Sequence, residues 1–481
     1  MIVTRARAVV SKSSLGQVSL PVEACRTHLD MIHHPSKTGT PMVELQGVPR
    51  RKKRLRQSAP EPLPETLHRV IWRWHFYAGL IIAPVLLVIA ATGATYIFKD
   101  ELEPLIYPQL MTVIPLDRRI PYDDQLASVR ASFGDEFRVM QVEVPANPKC
   151  SVAILGVAGK EFRRLHFNPY SGELLGELGK NNLFSVVLRL HRSLFAGTTG
   201  RIITELTTCW TIILLVSGLY LWWPRKRWRL WGVFLPRLWR HPYVILRDLH
   251  AVCGFFVLAV APLIAGTGLL YTYIWGSGYG YAAVKSGAYD IFLHPPQSRS
   301  AAEAPRLSVD AVVTIAAGVM PGRTLTVRMP STPEGAYVVF GNSPRGPSSD
   351  GVVVIDHATG EVLMHRANRD YPTLSWWATW NYPLHVGSIL GLPTKILWLV
   401  ACLILMLLPI TGVWMWWKRR PSGRTGFPRR PEIPVPRFLV FGIIALGVVL
   451  PALGLSIVAI LAGEKAVSWM RWTRRSPTSV A

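Results

Sequence analysis

Acidic side chains are scarce in this chain of 481 residues: 29 Asp and Glu stand against 53 Lys and Arg, and charged residues of both signs make up only 17%. Soluble domains carry more charge than that, and half of this sequence is hydrophobic, so the apolar excess must be gathered into membrane spans. Cysteine is scarce too. Cys25, Cys150, Cys209, Cys253 and Cys402 form no CxxC, and the last three fall inside apolar runs, where cysteine acts as a small hydrophobe. Only Cys150 lies in an expected exported loop, so no disulfide framework is implied. There is no HExxH, and His166, His241, His294, His357 and His365 make no i, i+4 pair, which argues against a zinc site. P-loop and flavin signatures are missing. Gly276-Ser277-Gly278-Tyr279-Gly280 follows an apolar run rather than a strand and is no nucleotide fingerprint.

Five runs are long enough to cross a hydrocarbon core of about 30 Å, which takes about 20 apolar residues. They lie at about 71–98, 201–223, 249–275, 393–417 and 437–461. The net charge of +24 sits in short segments between them rather than on a nucleic-acid-binding face. Arg50 to Arg54 precede the first run, Arg225 to Arg247 separate the second and third, and Lys418 to Arg430 separate the fourth and fifth. Basic short loops mark the cytoplasmic side. The N-terminus is therefore expected inside, with the loops 99–200 and 276–392 outside. The expected order is a disordered basic tail (1–65, with a working start near Met42), a span in 66–98, an exported loop in 99–182 and an interfacial segment with a span in 183–223. A basic loop follows (224–247), then a span (248–275), an exported loop (276–380) and an interfacial segment with a span (381–417). A second basic loop (418–436), a fifth span (437–461) and a basic tail (462–481) complete it.

The spans repeat one another. His75 is followed by Gly79 and Thr92-Gly93, and His250 by Gly254 and Thr267-Gly268, at the same offsets. His191 is followed by Gly197, Arg201, Gly218 and Trp222-Trp223, and His385 by Gly391, Lys395, Gly412 and Trp416-Trp417, again at the same offsets. A lone histidine at a helix end is usually an interfacial or capping residue. Four at matched positions in a duplicated bundle are better explained as two axial pairs, His75 with His250 and His191 with His385, each holding a haem iron. Two nitrogen ligands fill both axial positions, which suits electron transfer and disfavours oxygen binding. With no CxxCH, such haems are of the b type. Gly79 and Gly254 are expected to make room for the flat macrocycle, and Arg201 and Lys395 to pair with its propionates. The aromatic cluster Trp376-Trp377, Trp380 and Tyr382 reads as an interfacial belt.

The exported loops repeat as well. Phe167-Asn168-Pro169-Tyr170-Ser171-Gly172-Glu173 matches Ile355-Asp356-His357-Ala358-Thr359-Gly360-Glu361, each a hairpin turn whose glycine supplies positive φ. Strands are expected at 138–144, 151–155, 324–329, 336–340 and 352–355, with helices at 122–133 and 309–319 before them. That order gives two small α+β modules.

These closing turns resemble those of PepSY modules, and the helical segments "LHAVCGFFVLAVAPLIAGTG", "LHRSLFAGTTGR", "GLYLWWPRKR" and "PLHVGSILGLPTKILWLVACLILMLLPITGVWMWWKRR" resemble the PepSY-associated transmembrane family, over roughly 66–420. That family includes iron-regulated inner-membrane proteins, some of them dihaem ferrisiderophore reductases. The resemblance implies a multi-pass bacterial inner-membrane protein that takes electrons from a cytoplasmic donor and reduces ferric siderophore iron outside. Two other readings stand beside it: a haem relay that hands electrons to a partner protein, and a haem-free binding or regulatory protein. The expected fold is a membrane bundle of four core helices in two repeats of two, with a fifth C-terminal helix and two exported PepSY-like α+β loop domains.

Overall fold

The computed structural model describes residues 63–134, 136–225, 228–343, 346–428 and 437–473. The expected tail (1–65) lies outside these but for its last three residues, which already belong to the first helix; the proposed start near Met42 lies outside them too. The chain begins with α1 (Leu63–Tyr96), the short helices α2 (Lys99–Ile106) and α3 (Pro108–Met111), and α4 (Tyr122–Phe133). Four strands follow: β1 (Phe137–Val144), β2 (Val152–Ala158), β3 (Glu161–Phe167) and β4 (Leu174–Glu177). Next come α5 (Leu183–Ser193), α6 (Gly197–Trp222), α7 (Pro242–Phe256), α8 (Ala261–Gly268), α9 (Ile274–Lys285), α10 (Asp290–Leu293) and α11 (Val309–Val319). A second set of strands is β5 (Thr324–Arg328), β6 (Tyr337–Asn342), β7 (Gly351–Ile355) and β8 (Val362–Ala367). The chain closes with α12 (Thr373–Val386), α13 (Leu392–Arg419), α14 (Arg437–Val449) and α15 (Pro451–Thr473).

Five helical stretches among the described residues are long and apolar enough to cross a membrane: Leu67–Tyr96, Gly197–Trp222, Pro242–Ala259, Leu392–Arg419 and Pro451–Met470. This is a multi-pass membrane protein. Hydroxyls inside the spans are satisfied locally. Thr207, Thr208 and Thr211 of α6 each donate to the carbonyl four residues earlier, at 2.9, 2.9 and 2.7 Å. A buried acid is satisfied likewise: Glu205 of α6 accepts the amides of Ile274 and Trp275 at 2.7 and 2.9 Å, where the free N–H groups and dipole of α9 favour a carboxylate.

Two spans differ from expectation. The third is not one helix over 249–275. It starts at Pro242, tightens into a 3-10 turn at Val257–Ala259 and resumes as α8. Pro262 in the first turn of α8 has no N–H for the ladder, so the helix breaks before it. The expected fifth helix, 437–461, is a pair of helices broken at Leu450-Pro451. They fold back closely enough that a Cβ on Gly447 would lie 3.1 Å from the Cα of Gly454. Leu450, Ala452 and Leu453 at the turn pack against Cys209 and Leu269, and Trp210 and Trp275 donate to Ser456 and to the Val449 carbonyl.

The ends of the helices sort onto two faces. Arg225 beyond α6 donates to His68 near the start of α1 at 2.7 Å, and Arg419 at the end of α13 lies over the Trp72 ring. The basic connections therefore meet on one side of the bundle. On the other side, the expected pair of separate modules is a single antiparallel sheet ordered β4-β3-β2-β1-β5-β6-β7-β8. The join is β1 with β5, where Val142 faces Val327 and Gln141 faces Arg328. Each four-stranded unit alone would leave one of these strands as a bare edge, and pairing them satisfies both rows of backbone groups. α4 and α11 cover the sheet over one apolar core that runs across the join through Val129, Val142, Val312, Val327 and Val339. Asp123 and Asp310 lock the two helices reciprocally: Asp123 accepts the amides of Val309 and Asp310, and Asp310 accepts that of Asp123. Both turns form as read. Asn168 and Asp356 donate their amides to the carbonyls of Glu173 and Glu361 at 2.9 Å, with Gly172 and Gly360 at φ +74° and +76°.

Candidate functional site

The four matched histidines come together in two pairs. His75 of α1 and His250 of α7 have ring centres 6.3 Å apart, and His191 of α5 and His385 of α12 have theirs 6.2 Å apart. Each pair takes one member from the first half of the chain and one from the second. The pairs lie well apart: His75 and Thr92, which touches His191, are 17 positions apart on α1, a rise of about 25 Å. That places one pair toward each end of a bilayer-thick bundle.

Three of the rings are held by a carbonyl and a hydroxyl, and the fourth by a hydroxyl. The Nδ1 atom of His191 meets the Ile89 carbonyl and the Thr92 hydroxyl, both at 3.0 Å. His385 meets the Ile264 carbonyl at 3.1 Å and Thr267 at 3.2 Å. His250 meets the Leu408 carbonyl at 3.1 Å and Thr411 at 3.0 Å. His75 meets Ser217 at 2.9 Å. A carbonyl can only accept, so Nδ1 carries the proton at the first three sites. The hydroxyls agree, because each has spent its own proton on its helix: Thr92 on Val88, Thr267 on Leu263, Thr411 on Leu407 and Ser217 on Leu214. The three carbonyl-bonded imidazoles are thereby fixed as Nδ1–H tautomers with the Nε2 lone pair unprotonated, and the Ser217 contact is compatible with the same tautomer in His75. No protein hydrogen bond to any of these four Nε2 atoms occurs among the described residues.

The backs of the rings lie against glycine. A Cβ on Gly93 would stand 3.3 Å from Cε1 of His191, on Gly268 3.1 Å from His385, on Gly218 3.3 Å from His75 and on Gly412 3.5 Å from His250. Each ring thus rests on a Ser/Thr-Gly dipeptide of a neighbouring helix: Thr92-Gly93, Thr267-Gly268, Ser217-Gly218 or Thr411-Gly412. The glycine admits the ring and the hydroxyl fixes its tautomer. The dipeptides were visible in the sequence, but their role depends on which helices adjoin.

A bond from a metal to an imidazole nitrogen is about 2.0 Å, and the ring centre lies roughly 1.1 Å behind that nitrogen, so two imidazoles sharing one metal have centres about 6.2 Å apart. Both ring separations match that distance. Carbonyl-bonded Nδ1 atoms stand behind His191, His250 and His385, and a serine hydroxyl behind His75, the kind of outer support that metal-binding histidines need.

The other expected site residues have neighbours of their own. Gly79 and Gly254 back onto leucines, Leu214 at 4.0 Å and Leu408 at 3.6 Å from where a Cβ would be. Lys395, buried at 4% exposure, gives its ammonium to both oxygens of Glu101 at 2.8 and 2.9 Å. Arg201 donates to the carbonyls of Thr272 at 3.0 Å and Tyr271 at 3.4 Å and lies over the Tyr273 ring. Both cations therefore tie the start of one span to the chain that follows a span of the other half. Trp380, from the expected aromatic belt, donates to Asn368 at 3.0 Å and packs beside Trp376.

The paired tryptophans roof the basic end. Trp222 lies flat on Phe255, ring centres 4.0 Å apart, and donates to the Val233 carbonyl; Trp416 stacks on Phe427 and donates to the Thr425 carbonyl. Each pins its basic loop beside the His75–His250 pair.

No curated protein matches the chain. The family model described as the PepSY-associated TM region matches residues 72–419, and with its membrane bundle and extramembrane sheet this chain belongs to the PepSY-associated TM region family.

Proposed function

We propose that the chain is a dihaem b-type electron-transfer protein of the bacterial inner membrane that reduces ferric siderophore iron on the sheet side. His75 and His250 would be the axial ligands of one haem, and His191 and His385 those of the other. Bound there, haem supplies one-electron redox chemistry that no side chain of this protein offers. The protein's part is to present two unprotonated nitrogens per site, to hold each ring on a glycine, and to surround both sites with apolar helix. The observation that carries the reading is the pair of ring separations, 6.3 and 6.2 Å, with all four Nδ1 atoms already engaged. The basic segments gathered on one face favour that face, and with it the N-terminus, as cytoplasmic. The electron donor would dock there, while the siderophore acceptor is carried over from the family resemblance. The relation of the two helical halves and of the two four-stranded units is best read as an internal duplication of a two-span, PepSY-like unit.

A redox difference spectrum of the purified protein, with haem counted per chain, tests this. Two haems are expected, and His250→Ala and His385→Ala should each remove about one. A protein that takes up no haem on reconstitution, or that keeps both after either substitution, sinks the proposal.

A further inference from the structure

Asn381 of α12 is fully buried, and neither its amide nitrogen nor its carbonyl oxygen has a hydrogen-bond partner among the described residues. Leaving a buried primary amide unpartnered is unfavourable, and folded proteins rarely do so. The duplication shows that this position does not call for an amide. The residues four before the other three matched histidines are Ile71, Val187 and Leu246, all apolar. Nor does the ring of His385 need Asn381 for support, since Thr267 and the Ile264 carbonyl already hold it. A polar group thus stands at one of four equivalent places, with no task inside the protein.

Residues four apart share a helix face, so Asn381 borders the same space as His385, about 6 Å along α12. The start of α12 is fastened away from the bundle core: Tyr279 donates to the Leu374 carbonyl, and Ser375 to that of Ala288. Trp380, next to Asn381, donates to Asn368 beyond β8. Asn381 therefore lies on the side of the His191–His385 pair nearer the strands. Positive charge borders the pair as well, because the Arg192 guanidinium lies over the Tyr271 ring, whose centre is 5.4 Å from that of His385. The periphery of a b-type haem carries methyl, vinyl and propionate groups, and of these the propionates are the strong hydrogen-bond acceptors. We infer that Asn381 anchors the outer haem by donating its Nδ2–H to a propionate, a hold with no counterpart at the matched positions of the other three histidines. The inference rests on the electron-transfer reading, since it supposes a haem between His191 and His385.

Haem is titrated into the haem-free full-length protein, with the outer site identified as the one that His385→Ala removes. Asn381→Leu installs the kind of residue found at the matched positions. It should weaken the outer haem roughly tenfold or more, as for loss of one hydrogen bond to a charged group, and leave the inner haem unchanged. Iron protoporphyrin dimethyl ester, whose propionates are capped and uncharged, separates this hold from packing: the wild type and Asn381→Leu should bind it alike. Asn381→Ala, which only removes atoms, serves the same comparison if the leucine variant does not fold. Unchanged haem affinity in the variant, or an equal loss for haem and its diester, overturns the inference and leaves the electron-transfer reading standing. A wild-type protein that takes up no haem defeats that reading, and the inference with it.

Discussion

Ser217 is the weakest point in the support of the four imidazoles. Three of the rings lean on a backbone carbonyl as well as a hydroxyl, whereas among the described residues the hydrogen-bond partner of Nδ1 in His75 is the Ser217 hydroxyl at 2.9 Å. Ser217→Ala leaves that nitrogen without an acceptor and frees the tautomer. Loss of such a supporting bond typically lowers metal affinity about 10- to 100-fold, or about 1.4–2.8 kcal/mol. Thr411→Val acts on the same pair from the other side, but His250 keeps the Leu408 carbonyl at 3.1 Å. Its effect should stay below about tenfold. Titrating haem into the reconstituted variants and following the inner site, with the outer one saturated, compares the two substitutions directly. Equal losses, or a larger loss from Thr411→Val, would refute the claim that Nδ1 anchoring sets the affinity.

Glycine substitutions separate the rings' supports from ordinary packing. Gly268→Ala brings a methyl to 3.1 Å from His385 and should displace that ring and change the outer haem's spectrum, while Gly79→Ala meets Leu214 at 4.0 Å and should leave both spectra intact. The sheet should be acid-sensitive. His166 is buried at 3% exposure beside Ser151, and desolvation together with the nearby Arg164 pushes its pKa down to about 4 from 6.5. The unfolded chain binds the extra proton between those values, so the stabilisation is full above pH 6.5 and lost as pH falls toward 4. The loss is about 3 kcal/mol at most. Chemical denaturation followed across that interval should show the slope in the native protein and a flatter one in His166→Gln; identical slopes would dismiss this histidine as the source.

What the sequence made legible is what depends on local pattern. Helices α4 and α11 fall where their amphipathic periods put them, and β1, β5 and β7 within a residue of where their β-rich composition did. Strand β3, Glu-Phe-Arg-Arg-Leu-His-Phe, went unread because its charged positions, which pair with Glu177 on the adjacent β4 and with Glu143 on β1, break the apolar pattern. The seam between β1 and β5 has no local signal, since it joins residues nearly two hundred positions apart. Helix breaks were partly visible: Pro262 and Pro451 each mark one, while Pro84 and Pro409 lie inside continuous helices. A proline alone does not distinguish the cases, because a neighbouring helix can satisfy the freed carbonyl. The histidines were legible because they recur. The partners of Arg201 and Lys395 were not, because they lie on the opposite half of the chain.

The β1–β5 seam also bears on the membrane sites. The gap within each imidazole pair is a gap between halves, and bundle packing alone would let two helical hairpins rock against each other and change it. A continuous ladder of strands above them works as a caliper, with its jaws fixed by backbone hydrogen bonds that no side-chain substitution removes. Slack introduced at that ladder should therefore be felt within the bundle, at both imidazole pairs.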